Sequence, residues 1–210
     1  MSQVKNASGQ TLDSLHLHHA PPPFANSNMS FFERIENRAK AINSLLCIGL
    51  DPHSSELNCP QSATEEDRAE AAYHFCVRII DATHPHAVCY KPNAAFFEAI
   101  GHKYGMSTLR RVIDHIIPHD VPVLLDVKRG DIGTTAEAYA DACYDKNGGC
   151  GADGVTLSPL MGWDSIKPFI TGKLEIEKEK FFVHSTTISI SLVDDYRHIF
   201  ATLDLSLAAQ

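Results

Sequence analysis

An α/β fold built on a parallel sheet is what the 210-residue sequence predicts, and three observations carry that prediction. Short apolar, β-branched runs alternate with amphipathic segments in a β-α-β-α order, with short connections between them. The amphipathic segments repeat apolar residues at helical spacing, whereas the apolar runs are only five to seven residues long, the length of buried strands. Each of the first four apolar runs ends in a polar residue, as expected where right-handed crossovers bring all strand C-termini to one rim.

Taken in order, residues 1–28 are polar and close on Ala20-Pro21-Pro22-Pro23 after His16, His18 and His19, so they read as a disordered leader. Ser30 to Ala41 reads as a short amphipathic helix leading into the domain. Ser44 to Leu50 is the first strand, ended by Asp51-Pro52. Ser62-Ala63-Thr64-Glu65 matches a capping box, and the helix after it aligns Ala72, Phe75, Cys76, Ile79 and Ile80 on one face. His86 to Tyr90 is the second strand, crowned by Lys91-Pro92-Asn93. A helix from Ser107 places Leu109, Val112, Ile113 and Ile116 at core spacing, and Pro118 and Pro122 separate it from the third strand, Val121 to Val127. Thr134 to Glu137 is a second capping-box match, opening an alanine-rich helix to about Asp145. Gly154 to Ser158 is the fourth strand, followed by a short helix from Asp164 to Phe169. Beyond the charged run 174–180, Phe181 to His184 makes a fifth strand and Thr186 to Val193 stays β-branched.

Composition narrows the function. With 44% hydrophobic and 21% charged residues the chain has an ordinary globular make-up. A net charge of −8 argues against nucleic acid or an anionic membrane surface as partner. No apolar run reaches the ~18 residues of a membrane span, and the N-terminus has no secretory signal pattern. Six scattered cysteines have no CxxC or zinc-finger spacing, and several lie in apolar periodic segments as buried free thiols, which reads as a reducing compartment, the cytoplasm.

The most informative stretch is Pro122 to Ala140, PVLLDVKRGDIGTTAEAYA. Residues two apart in a strand share a face, so Asp126 and Lys128 project together at the end of an apolar strand, where unpaired charge is costly. One reading is a structural ion pair. The other is an acid–base array at the ligand-binding end of a parallel sheet, and Asp51 and Lys91-Pro92-Asn93 at neighbouring strand ends favour it.

Together these strand ends resemble the orotidine 5′-phosphate decarboxylase family, in its longer, bacterial-type branch. The resemblance lies in Gly49-Leu50-Asp51-Pro52, Lys91-Pro92-Asn93-Ala-Ala-Phe-Phe-Glu98, Asp126-Val-Lys128-Arg-Gly-Asp131-Ile132, and Gly154-Val-Thr-Leu-Ser158-Pro159 with Gly162-Trp163. It implies a (β/α)8 TIM-type barrel acting as a homodimer, without metal or organic cofactor, that converts orotidine 5′-phosphate to UMP in pyrimidine biosynthesis. It implies a catalytic network of Lys91, Asp126, Lys128 and Asp131, with Asp131 reaching into the neighbouring subunit beside Ile132 and Thr135. Asp51 and Asn93 are implied as ribose contacts and Ser158 as a pyrimidine contact.

The resemblance covers roughly residues 30 to 173. The expected organisation is therefore a leader (1–28), the N-terminal part of a barrel domain (29–173) with four to five βα units, and a divergent segment (174–210). The family's phosphate-gripping Gln and Arg have no recognisable counterpart: beyond the fifth strand Arg197 is the one arginine and Gln210 the one glutamine. Two further readings stand beside an active decarboxylase. One is a truncated, inactive form of that enzyme, pairing with a full-length subunit. The other is a metal-dependent sugar-phosphate lyase on the same barrel.

Overall fold

A computed structural model describes residues 29–171 and 181–183. The expectations for the leader, for the charged run 174–180 and for the β-branched segment after the fifth strand lie outside the described residues. Within them the order is α1 (Phe31–Ile42), β1 (Leu46–Leu50), α2 (Glu65–Thr83), β2 (Ala87–Pro92), α3 (Ala94–Glu98), α4 (Gly105–Ile116), β3 (Leu124–Arg129), α5 (Gly133–Tyr144), β4 (Gly154–Leu157), α6 (Trp163–Thr171) and β5 (Phe181–Val183). Short 3-10 turns follow α4 (Ile117–His119) and β4 (Pro159–Met161).

All five strands are parallel. β1 pairs with β2, and β3 with β4 and β4 with β5. Isolated bridges from Tyr90 to Val123 and from Asn93 to Asp126 join β2 to β3, giving the spatial order β1-β2-β3-β4-β5. Consecutive parallel neighbours joined through helices are the repeating unit of a (β/α) barrel. Among the described residues β1 has no partner on its outer edge, and Leu46 and Cys47 there are exposed.

The core fills the space between strands and helices. Leu109, Val112, Ile113 and Ile116 of α4 are completely buried, as their spacing predicts. In α2 the buried line is Ala69, Ala72, Cys76 and Ile80, and Phe75 and Ile79 sit half-buried at its margins. A second cluster packs Phe31 and Ile35 of α1 on Val88, Cys89 and Leu124. α1 closes the N-terminal ends of the strands, where Arg38 donates to the carbonyls of Ala87 (2.8 Å) and His84 (2.7 Å), and Arg34 pairs with Asp153 at 2.6 Å. The Phe31 ring lies so near Gly154 that a Cβ there would meet it at 3.2 Å, so a side chain at the start of β4 would crowd the seat of α1.

Helix starts depart from expectation in two places. The capping box of α2 is formed by Thr64 with Asp67, two residues later than the Ser62–Glu65 match. Thr64 Oγ1 accepts from the Asp67 amide, and Asp67 accepts from the amide of Thr64. Glu65 instead reaches across to accept from the amides of Lys103 (2.6 Å) and Tyr104 (2.7 Å), so the carboxylate at the start of α2 caps the start of α4. Thr64→Ala is expected to lower stability by about 1 kcal/mol in urea unfolding, while Ser62→Ala leaves it unchanged. At α5 the expected Thr134–Glu137 box does not form. The helix begins at Gly133 with Ile132 at the cap and no side-chain cap bond, which puts Thr134 inside the first turn, where it cannot cap. The short helix α3, capped by the Asn93 side chain on the Ala95 amide (3.1 Å), was not anticipated; five residues are too few to show a period.

Candidate active site

The strand C-termini bring Lys91 (β2), Asp126 and Lys128 (β3) and Thr156 (β4) to one point. The Asp126 side chain is 7% exposed and is the hub of the cluster. Its Oδ1 accepts from Lys128 Nζ at 2.7 Å and from Thr156 Oγ1 at 2.7 Å. Its Oδ2 accepts from Lys128 Nζ at 2.8 Å and Lys91 Nζ at 3.2 Å. Burial alone would push the Asp126 carboxyl up; hydrogen bonds from Lys128 and Thr156 and the charge of Lys91 outweigh it and hold the group below its ordinary value.

The backbone that presents these groups is not a regular strand. The β3–β4 register shifts between Leu125 and Arg129, and Lys128 adopts φ +46° in the left-handed region. A lysine there stores roughly 1–3 kcal/mol of strain, which the surrounding bonds must hold. Thr156 supplies them: its hydroxyl accepts from the amides of both Val127 and Lys128, each at 3.1 Å, and donates to Asp126. Asp126 and Lys128 thus meet through a bulge rather than through strict strand alternation. The residue after the pair turns away, and Arg129 binds Glu98 at 3.0 Å and lies over the Tyr139 ring.

Thr156 was missing from the sequence-based site. A threonine inside a fully buried four-residue strand was the available signal, because a buried hydroxyl needs a partner. Thr156→Val keeps shape but strands two amides, so unfolding measurements are expected to show a loss of about 1–3 kcal/mol.

Asp51, at the end of β1, shares the field of the cluster. Burial pushes its carboxyl up, Lys91 and Lys128 pull it down, and Asp126 adds repulsion; the net direction is upward. Its Oδ1 is buried without a hydrogen-bond partner among the described residues. Asn93 is joined to Asp126 by the backbone bridge, and its side chain is engaged in capping α3. Ser158 sits half-buried at the end of β4, against Gly130, where a Cβ would come within 2.9 Å of the Ser158 side chain. Asp131 and Ile132 on the β3–α5 connection and Thr135 in the first turn of α5 are exposed, outside the lysine–aspartate cluster, and Asp131 Oδ1 accepts from the Ile132 amide at 2.8 Å.

The sequence pattern of the orotidine 5′-phosphate decarboxylase / HUMPS family matches residues 44–191. The chain belongs to this family. Among curated members of the orotidine 5′-phosphate decarboxylases, that of Haloarcula marismortui is 44% identical over 142 residues, covering 68% of this chain and 48% of its own length. That of Roseiflexus castenholzii gives the same identity and coverage, 44% over 68% and 48%. The chain therefore spans about half the length of the curated relatives it matches. Among solved structures, the Leishmania donovani OMP decarboxylase is 42% identical with a TM-score of 0.58, covering 74% of this chain and 53% of that one. The UMP synthase of the same organism is 42% identical with a TM-score of 0.59, covering 74% of this chain and 30% of that one. The fold is thus of the (β/α)8 barrel type that these decarboxylases share, with five parallel strands among the described residues. Among the described residues no helix is long and apolar enough to cross a membrane.

Proposed function

We propose that this site decarboxylates orotidine 5′-phosphate to UMP, in the cytoplasm and as a homodimer. The observation that carries the reading is the Lys91–Asp126–Lys128 cluster: two ammonium groups fixed on one buried carboxylate at the mouth of a parallel sheet. When the C6–carboxylate bond of the orotate ring breaks, CO2 leaves and the electron pair stays on C6. An ammonium already held in place stabilises that charge without reorganisation. Lys128 is the group for this role, because its side chain is the more exposed of the two while its amine is held on both oxygens of Asp126. It then transfers a proton to C6, giving UMP, and regains one from water. Asp126 holds Lys128 and Lys91 in place and sets its negative charge beside the substrate carboxylate. The Asp51 Oδ1, without a partner among the described residues, suits a ribose hydroxyl, Asn93 is a second ribose contact, and Ser158 meets the pyrimidine.

Dimer formation is supported by the exposure of Asp131, Ile132 and Thr135 on the same rim as Leu160, Met161 and Trp163, which are 80%, 58% and 55% exposed. Asp131 would complete the partner's network and alternate with the two lysines. The test is direct. The purified chain is incubated with orotidine 5′-phosphate, and UMP and CO2 are measured in the presence of a chelator. Turnover that Asp131→Ala and Lys128→Ala each abolish supports the reading. A folded chain that yields no UMP, or turnover that needs added metal, rejects it.

A further inference from the structure

At the end of the strands opposite Lys128, three side chains that the proposed chemistry does not use converge. Asp81 stands in the last turn of α2, His115 in the last turn of α4, and His119 in the 3-10 turn that leads to β3. One ligand atom from each lies within 4.8 Å of the other two. We propose that Asp81, His115 and His119 bind one divalent transition-metal ion, zinc being the chemical type that fits, with water completing the coordination.

Two imidazoles and one carboxylate are the donor set of three-ligand zinc sites, and imidazole-rich sets disfavour magnesium and calcium, which take oxygen ligands. The rings are already held. His119 stacks on His84 with centroids 4.0 Å apart, and His115 meets the Tyr73 ring edge-on at 6.5 Å. Tyr73 is in turn covered by the Arg111 guanidinium at 4.1 Å. His115 Nε2 already touches Asp81 Oδ1 at 2.8 Å. An ion pair at the surface needs only these two; the third donor is what makes the cluster a ligand set. The nearest deep cation, Arg38, is occupied by the carbonyls of Ala87, His84 and Asp120 rather than by Asp81. The ion would tie the end of α2 to the α4–β3 connection, bracing successive βα units far from the substrate.

Zinc titration of the full chain by calorimetry tests this against a His115→Ala/His119→Ala variant and against Asp81→Asn, which keeps shape and fold. His16, His18 and His19 are present in these three proteins, so their contribution cancels, and a further variant replaces them. The expected result is one zinc per chain fewer in the double variant and at least ~10-fold weaker binding in Asp81→Asn, since even second-sphere losses cost ~10–100-fold. Cobalt substitution should give the visible absorption of tetrahedral coordination in the parent chain and not in the double variant. His102→Ala should change neither. Equal zinc stoichiometry and affinity in the parent chain and the double variant would overturn the proposal, as would zinc binding that is lost only when His16, His18 and His19 are replaced.

Discussion

Lys128→Ala is expected to abolish the proposed decarboxylation, lowering kcat by ~10⁴-fold or more. The substitution removes two contributions together: a preorganised positive charge beside the developing carbanion, worth ~10²–10³-fold, and the proton donor, worth ~10²–10⁴-fold. Fold and substrate affinity should change far less, because the Lys128 side chain is half exposed and its bonds are confined to Asp126. Single-turnover measurement of UMP formation separates these effects. A fall in kcat with a nearly unchanged KM places Lys128 on the reacting atom. A change confined to KM would make it a binding residue and remove the proposed chemistry. Lys128→Arg provides a second check: it keeps the charge but donates its proton far less readily, so activity should stay low.

Asp126→Asn is the second large effect, and it acts on stability as well as on rate. Both lysines and Thr156 converge on Asp126, so neutralising it leaves two ammonium groups facing each other. Losing one partner of a fully buried pair costs about 3–5 kcal/mol; because Lys128 is half exposed and water screens it, about 2–3 kcal/mol is expected here. The pH dependence follows from the direction of the Asp126 shift. Its carboxyl is held below its ordinary value in the folded chain, so its stabilisation is fully present above the unfolded value, about 3.9, and fades as pH falls through the folded value. Asp51 runs the other way: its carboxyl is raised by burial, so its ionisation opposes folding, and that penalty is relieved as pH falls through its folded value. Urea unfolding of the parent chain and Asp126→Asn between pH 7 and pH 3 should show a gap that closes on the acid side. A gap independent of pH would mean that Asp126 acts through shape and not through charge.

The Asp126–Lys128 pair could be read from the sequence because Asp126 interrupts an apolar run and Lys128 follows directly at its end, and the run itself reported burial. Lys91 could be read as a strand end, but not as a partner of Asp126, since 35 positions separate them. Only the bridge between β2 and β3 brings them together. The spacing argument reached the right pair by an incomplete route: it assumed a regular strand, whereas the meeting depends on a register shift and a left-handed lysine. Likewise, two helix starts matched capping patterns that the chain does not use: Glu65 binds at the start of α4 instead, and α5 begins one residue before Thr134.

By itself, then, the sequence determined the alternation of strands and helices, the α4 core face and the polar residue at each strand end, all of which depend on neighbours within a few positions. The tertiary structure alone decided which carboxylate became the hub, that Thr156 would hold the bulge, and that Asp81, His115 and His119 would share a corner. The physical reason is common to all three. A hydrogen bond or a ligand set joins atoms brought together by the register of separate strands and helices, and local periodicity carries no information about that register.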